Sequence, residues 1–375
     1  MHNREFDLVR LLQTVFRPRA GERAAVFIDL PNPADVKDLK FLKDKSLTTQ
    51  RIAYEQFYQG MLKHTPELGF SSVGFYAYTP TGGSNLELPE TVVNPDGKTL
   101  RLVQDVLSQL DIVVYLSTYS ATAPLTALAK KMGFRGATMH GCNETILRTG
   151  LAQDYNEVSV KAERFRQALT KCDDVVIEFA TGDKKYRLTL DLGRQEAQKS
   201  HGLCHTAGEI ANLPAGEIYW VPVNARGQFP LKFKEDGTMG LMEVANGRIQ
   251  SGTLLRGSEK TLARALKTFR DDPATGQIGE LGLGTQILPF ANADIQDEKI
   301  LGTMHVATGR DDHLGGKIDA AKFKEKKNAT HEDILFAPHK TPEINLNGVW
   351  MHKDNQEVLL IKDYRPTEFV TRVAT

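Results

Sequence analysis

Four short stretches in the second half of the chain carry the residue types best suited to chemistry: Gly216-Glu217-Ile218, Gly279-Glu280-Leu281, Thr303-Met304-His305 and His331-Glu332-Asp333. Each lies in, or at the end of, an apolar run of strand length. Side chains alternate faces along a strand, so His331 and Asp333 point one way and Glu332 the other. An imidazole and a carboxylate converging from one strand suit a divalent metal. His305 added to them makes two histidines and one carboxylate, enough for an open-faced Fe(II), Mn or Zn site. Glu217 and Glu280 bring the set to five candidate ligands. That is more than one metal with an open position needs, and it favours two metals bridged by a carboxylate, about 3.5–4 Å apart. Against this stands the ordinary role of each residue taken singly. A lone histidine beside a strand is more often a hydrogen-bonded structural group, and His-x-Asp recurs by chance in a chain of 375 residues. His2, His64, His140, His201, His205, His339 and His352 have no comparable partners and read as structural or surface groups.

Other common chemistries find no support. The first apolar run is followed by Pro31-Asn32-Pro33 and not by the glycines that let a backbone approach a pyrophosphate. GxxxxGK[ST], HExxH and GxSxG are all absent. The glycine-rich run from Gly279 to Gly284 has the wrong spacing for a phosphate loop and reads as a tightly packed strand end. Cys204 and His205 cluster, but without a second pair they do not make a zinc knuckle.

Composition narrows the partners. Forty-seven basic residues balance 47 acidic ones, so there is no global field to attract nucleic acid or an anionic membrane. Three scattered cysteines, Cys142, Cys172 and Cys204, form no disulfide framework and read as free thiols in a reducing compartment. The N-terminus is charged and lacks the apolar core of a leader, and no run reaches the roughly 18 apolar residues of a membrane helix. The expected location is the cytoplasm.

The elements that must hold the candidate ligands fall into two styles. In the first half, the strand-like runs Ala24–Leu30, Ser72–Tyr78 and Asp111–Ser117 alternate with helical patterns at Leu100–Leu110, Pro124–Met132 and Glu144–Lys171. This alternation predicts an α/β domain with a mostly parallel sheet, doubly wound, over residues 1–168. From 169 to 375 the pattern is strand-rich α+β: a hairpin around Thr181-Gly182-Asp183, strands at Glu217–Val223, Gly237–Ala245 and Gln277–Gly282, one helix starting at Ser258, and a second hairpin around Lys353-Asp354-Asn355. The candidate ligands all belong to this second domain, and the first is expected to carry no chemistry of its own.

Several of these stretches resemble one family. Asn212-Leu-Pro-Ala-Gly-Glu217, Ile278-Gly-Glu280-Leu-Gly, Thr303-Met-His305-Val-Ala-Thr-Gly309 and Asn328-Ala-Thr-His331-Glu-Asp333 are similar, in the same order, to four elements of the thermophilic metallo-aminopeptidases (aminopeptidases T and S). The resemblance implies that Glu217, Glu280, His305, His331 and Asp333 are metal ligands. It also implies two divalent ions (Zn, Co or Mn), a metal-bound hydroxide attacking an amide of a short peptide or small molecule, and a homodimer with enclosed active sites. The family's tyrosine ligand is missing from Arg310-Asp311-Asp312-His313, so Asp312 or His313 is the expected substitute, as ligand or proton relay. A branch similar in fold, the dihydroxypyridine ring-cleaving dioxygenases, implies an alternative in which His305, His331 and Asp333 hold one Fe(II). A relative that binds peptide without turnover is the third expectation.

Overall fold

A computed structural model describes residues 5–375, so His2 lies outside the described residues. The chain forms two compact units. One comprises the chain up to Ser159 together with Ser200–Ala215 and Leu288–Gln296; the other comprises Val160–Lys199, Gly216–Ile287 and Asp297–Thr375. The expected boundary at 168/169 falls at the end of the helix Tyr155–Leu169. Segments from beyond it return to the first unit because Leu213, Ala215, Ala291 and Ile295 bury themselves in its core.

The sheet of the first unit is mixed. Its order is Ile210–Asn212, Arg135–Thr138, Ile112–Leu116, Arg23–Asp29, Ser72–Tyr78, Thr91–Val93, Thr99–Arg101. The first five strands run parallel and the last two are antiparallel. Ala24, Val26 and Ile28 pack into one core cluster and Ala25 and Phe27 into another, so this strand is covered on both faces, as parallel sheets require. Two expected helices differ. Over 100–110 the chain forms a strand end, a wide π turn at Leu102–Val106 and a 3-10 turn at Leu107–Gln109. The buried Leu102, Val106 and Leu107 stand four and five residues apart, a spacing that the wider turn serves better than a 3.6-residue one. The pattern over 144–171 splits into Glu144–Arg148 and Tyr155–Leu169. The break passes through Gly150, where a side chain would meet Pro214 and Gln296.

The second unit is antiparallel and strand-rich. The two expected hairpins are present: Asp174–Thr181 pairs with Lys184–Asp191, and Asn345–Lys353 with Gln356–Lys362 through Asp354 and Asn355, both at positive φ as a type I′ turn needs. They belong to an eight-stranded sheet. The helix Glu259–Asp271 starts where expected, with Ser258 accepting a hydrogen bond from the Thr261 N–H. A five-stranded sheet has the order His331–Phe336, Met304–Gly309, Ile278–Gly284, Glu217–Trp220, Gln198–Ser200. One of its faces is apolar: Ile218, Trp220, Leu281, Leu283, Met304, Val306 and Phe336 share a core cluster with Ile177, Phe179 and Leu188 of the larger sheet. The Phe179 and Phe336 rings lie 4.7 Å apart. Among the described residues no helix is long and apolar enough to cross a membrane.

Candidate metal centre

The other face of the five-stranded sheet carries the candidate ligands. In register, Glu217 lies opposite Gly284, Gly282 opposite His305, Glu280 opposite Ala307, Ala307 opposite Asp333 and Gly309 opposite His331. Directly opposed residues share a face, so Glu217, Glu280, His305, His331 and Asp333 come from four neighbouring strands onto one side. Glu332 points to the opposite side and is exposed. Glycines make room for the set. A Cβ on Gly282 would fall on the His305 ring, and a register shift at Gly279 re-aims Glu280.

The side chains meet closely. His331 Nε2 lies 2.9 Å from Glu280 Oε2 and 3.2 Å from Asp333 Oδ1. His305 Nε2 lies 3.5 Å from Glu280 Oε1, 3.9 Å from Asp333 Oδ1 and 3.9 Å from Glu217 Oε2. Two groups have donor atoms close enough to share an ion: Glu280, His331 and Asp333, and Glu298, His305 and Asp333. Asp333 is common to both. Three observations fit a divalent metal. The donors are imidazole nitrogens and carboxylate oxygens, the set that borderline and hard divalent ions take. Buried Glu217 Oε2 has no hydrogen-bond partner, which costs about 1–3 kcal/mol unless something compensates it. His331 Nδ1 donates to the Arg310 carbonyl at 2.6 Å, fixing the ring so that Nε2 faces the other donors.

Charge holds the imidazoles protonated when no metal competes. Burial alone would lower the pKa of His305, but the hydrogen bond and charge of Glu280, with Asp333 and Glu298, push it up to about 10. His331 is likewise raised, burial being outweighed by Asp333 and Glu280. Glu280 is pushed down to about 2 because the two histidines outweigh its burial. A metal must displace the imidazole protons, and that displacement becomes easier as pH rises toward the raised values. Affinity for zinc or manganese is therefore expected to climb between pH 6 and 8 by about tenfold per pH unit for each proton displaced. Calorimetry in buffers of different ionisation enthalpy should register proton release at pH 7; a pH-independent affinity would show that the rings are neutral beforehand.

Two residues in this constellation escaped the sequence reading. Glu298 and Lys299 occupy the turn after the short helix Asp294–Asp297, and both are buried. The turn is pinned by the Gln286 N–H donating to the Lys299 carbonyl at 2.8 Å. Gly284, where a side chain would strike the Lys299–Ile300 backbone, lets it lie against the sheet. Lys299 Nζ donates to Glu217 Oε1 at 2.5 Å and to Glu298 Oε1 at 2.6 Å. Burial, with the charges of Asp333 and Glu217, lifts the Glu298 carboxyl to about 7 against the opposing pull of Lys299. Two signals pointed here: the alternation Glu280, Gly282, Gly284 on one face, and the charged run Asp297-Glu298-Lys299 directly before the apolar pair Ile300-Leu301.

The remaining sequence candidates are placed as follows. Asp312 accepts from Arg310 Nε at 2.7 Å, and the His313 ring stands edge-on to His331 at 4.9 Å. Burial and the neighbouring His331 push the His313 pKa down to about 3, so that ring is neutral. His339 pairs with buried Asp297 at 2.8 Å. Cys142, Cys172 and Cys204 are buried free thiols. Cys204 Sγ donates to the Gly136 carbonyl while His205 Nε2 contacts the Thr14 carbonyl, so the two point to separate partners.

The fold is shared with solved structures. A 2,5-dihydroxypyridine dioxygenase from Pseudomonas putida superposes with a TM-score of 0.62 at 14% identity, covering 96% of this chain and 97% of that one. Wild-type AmpT from Thermus thermophilus superposes with a TM-score of 0.50 at 11% identity, covering 96% and 98%. These matches establish a distant structural relationship to both, at the level of the fold. No protein-family model and no curated protein matches the sequence.

Proposed function

We propose that the chain is a divalent-metal-dependent hydrolase acting on an amide of a short peptide or small molecule. The observation that carries this reading is the convergence of buried Glu280 and His331 and half-buried Asp333, with buried His305 beside them, on one face of the sheet. A metal held there would lower the pKa of a water toward about 7 and polarise a carbonyl. The chain's own residues do the rest. The Arg310 carbonyl keeps the His331 ring turned toward the site, and Glu298, with its carboxyl near 7, is suited to carry a proton between water and leaving group at neutral pH. Glu280 adds a second carboxylate to His305, His331 and Asp333, a mixed nitrogen and oxygen donor set that Zn, Co or Mn can take. The test is a panel of aminoacyl amides and dipeptides with metal-loaded protein. Hydrolysis that stops with a chelator and returns with one of these ions supports the reading; loaded protein that cleaves none of them overturns it.

A second reading has its own observation. His305, His331 and Asp333 supply two imidazoles and one carboxylate, the facial set of Fe(II) oxygenases. It predicts oxygen uptake with a dihydroxylated heteroaromatic after anaerobic loading with iron, and no amide hydrolysis.

A further inference from the structure

We propose that the ammonium of Lys299 stands in for a second cation, so that the centre takes up one divalent metal at Glu280, His331 and Asp333 instead of two. The inference rests on the reading of this face as a metal site. The lysine side chain is only 1% exposed, and its Nζ bridges two carboxylates, Glu217 at 2.5 Å and Glu298 at 2.6 Å. Both would otherwise serve the second position. Glu298 belongs to the Glu298–His305–Asp333 group, and Glu217 turns its other oxygen toward His305 at 3.9 Å. A second divalent ion would bring two positive charges against the ammonium, deep in the protein where charge repulsion is screened little.

The lysine is held in place by the geometry already described: its backbone lies against Gly284 and its carbonyl is bonded by the Gln286 N–H. Sequence neighbours could not simply swap roles, because Glu298 and Lys299 both reach the site from a turn and not from a strand.

Metal content of the full-length protein decides the matter. Wild-type protein equilibrated with cobalt and freed of excess is expected to hold one equivalent by elemental analysis, with the spectrum of an isolated Co(II). Lys299→Met should raise the content to two equivalents and add the signature of exchange-coupled Co(II) ions, while Lys299→Arg keeps one. Two equivalents in the wild type overturn the proposal and leave the metal-enzyme reading intact. A folded Lys299→Met protein that still holds one equivalent overturns it as well. No bound metal in the wild type removes both. If Lys299→Met fails to fold, the wild-type stoichiometry still decides.

Discussion

Asp333→Ala is expected to empty the metal centre and abolish turnover, while Glu332→Ala, one residue away, leaves both nearly unchanged. Asp333 is the one residue common to both groups of converging donors, and its carboxylate faces both His305 and His331. Burial works against its charge, yet His331 and His305 hold its carboxyl well below the usual range, so the charged form is built into the fold. Deleting one member of a buried charged set typically costs about 3–5 kcal/mol, or roughly two to four orders of magnitude in metal affinity. Glu332 points to the opposite face of the same strand and is itself exposed at the strand's start, so its removal takes away no donor and is expected to cost about 0.5 kcal/mol. Metal analysis, kinetics and thermal unfolding of the two variants and His331→Ala separate the residues. Loss of metal in Glu332→Ala with retention in Asp333→Ala would mean that the strand is phased the other way.

Gly282→Ala is expected to inactivate the protein without touching a ligand. The added methyl would occupy the place of the His305 ring, which lies across this glycine from the adjacent strand. Forcing an extra methyl into a packed position costs about 1–3 kcal/mol. The larger effect is on geometry, since displacing a positioned group by about 1 Å can cost about a hundredfold in rate. A double-mutant cycle identifies the route of the damage: in the His305→Ala background the glycine substitution should add little, because the clash partner is gone. Native metal content and rate in Gly282→Ala would show that His305 has room to move aside.

The ligand face was legible where local periodicity decides placement. His331, Glu332 and Asp333 alternate as a strand must, and Glu217, Glu280 and His305 each sit in an apolar run whose strand character the sequence displays. Register across four strands then brings them together, and register is a long-range property that no single run encodes. Glu298 and Lys299 were hidden for a different reason. They are consecutive and both point inward, which only an irregular turn permits, and no period of 2 or 3.6 describes a turn. The first unit shows the same limit. Its strands were evident from β-branched and aromatic runs, whereas Leu213, Ala215, Ala291 and Ile295 join its core from distant segments. The apolar spacing over 100–110 resembled a helix because a π turn followed by a 3-10 turn also gathers Leu102, Val106 and Leu107 on one side.

The five-stranded sheet keeps stability and chemistry on opposite sides of a single layer of backbone. Ile218, Leu281, Met304 and Phe336 face the core, while their neighbours in sequence face the donors. An exchange at a donor position leaves the core contacts on the opposite face untouched, so its cost falls on the charge balance of the donor face and not on the packing that holds the two sheets together. The same separation makes positions 217, 280, 298, 299, 305 and 333 a compact set for laboratory evolution, in which substitutions must be paired so that no buried charge is left without its counter-charge.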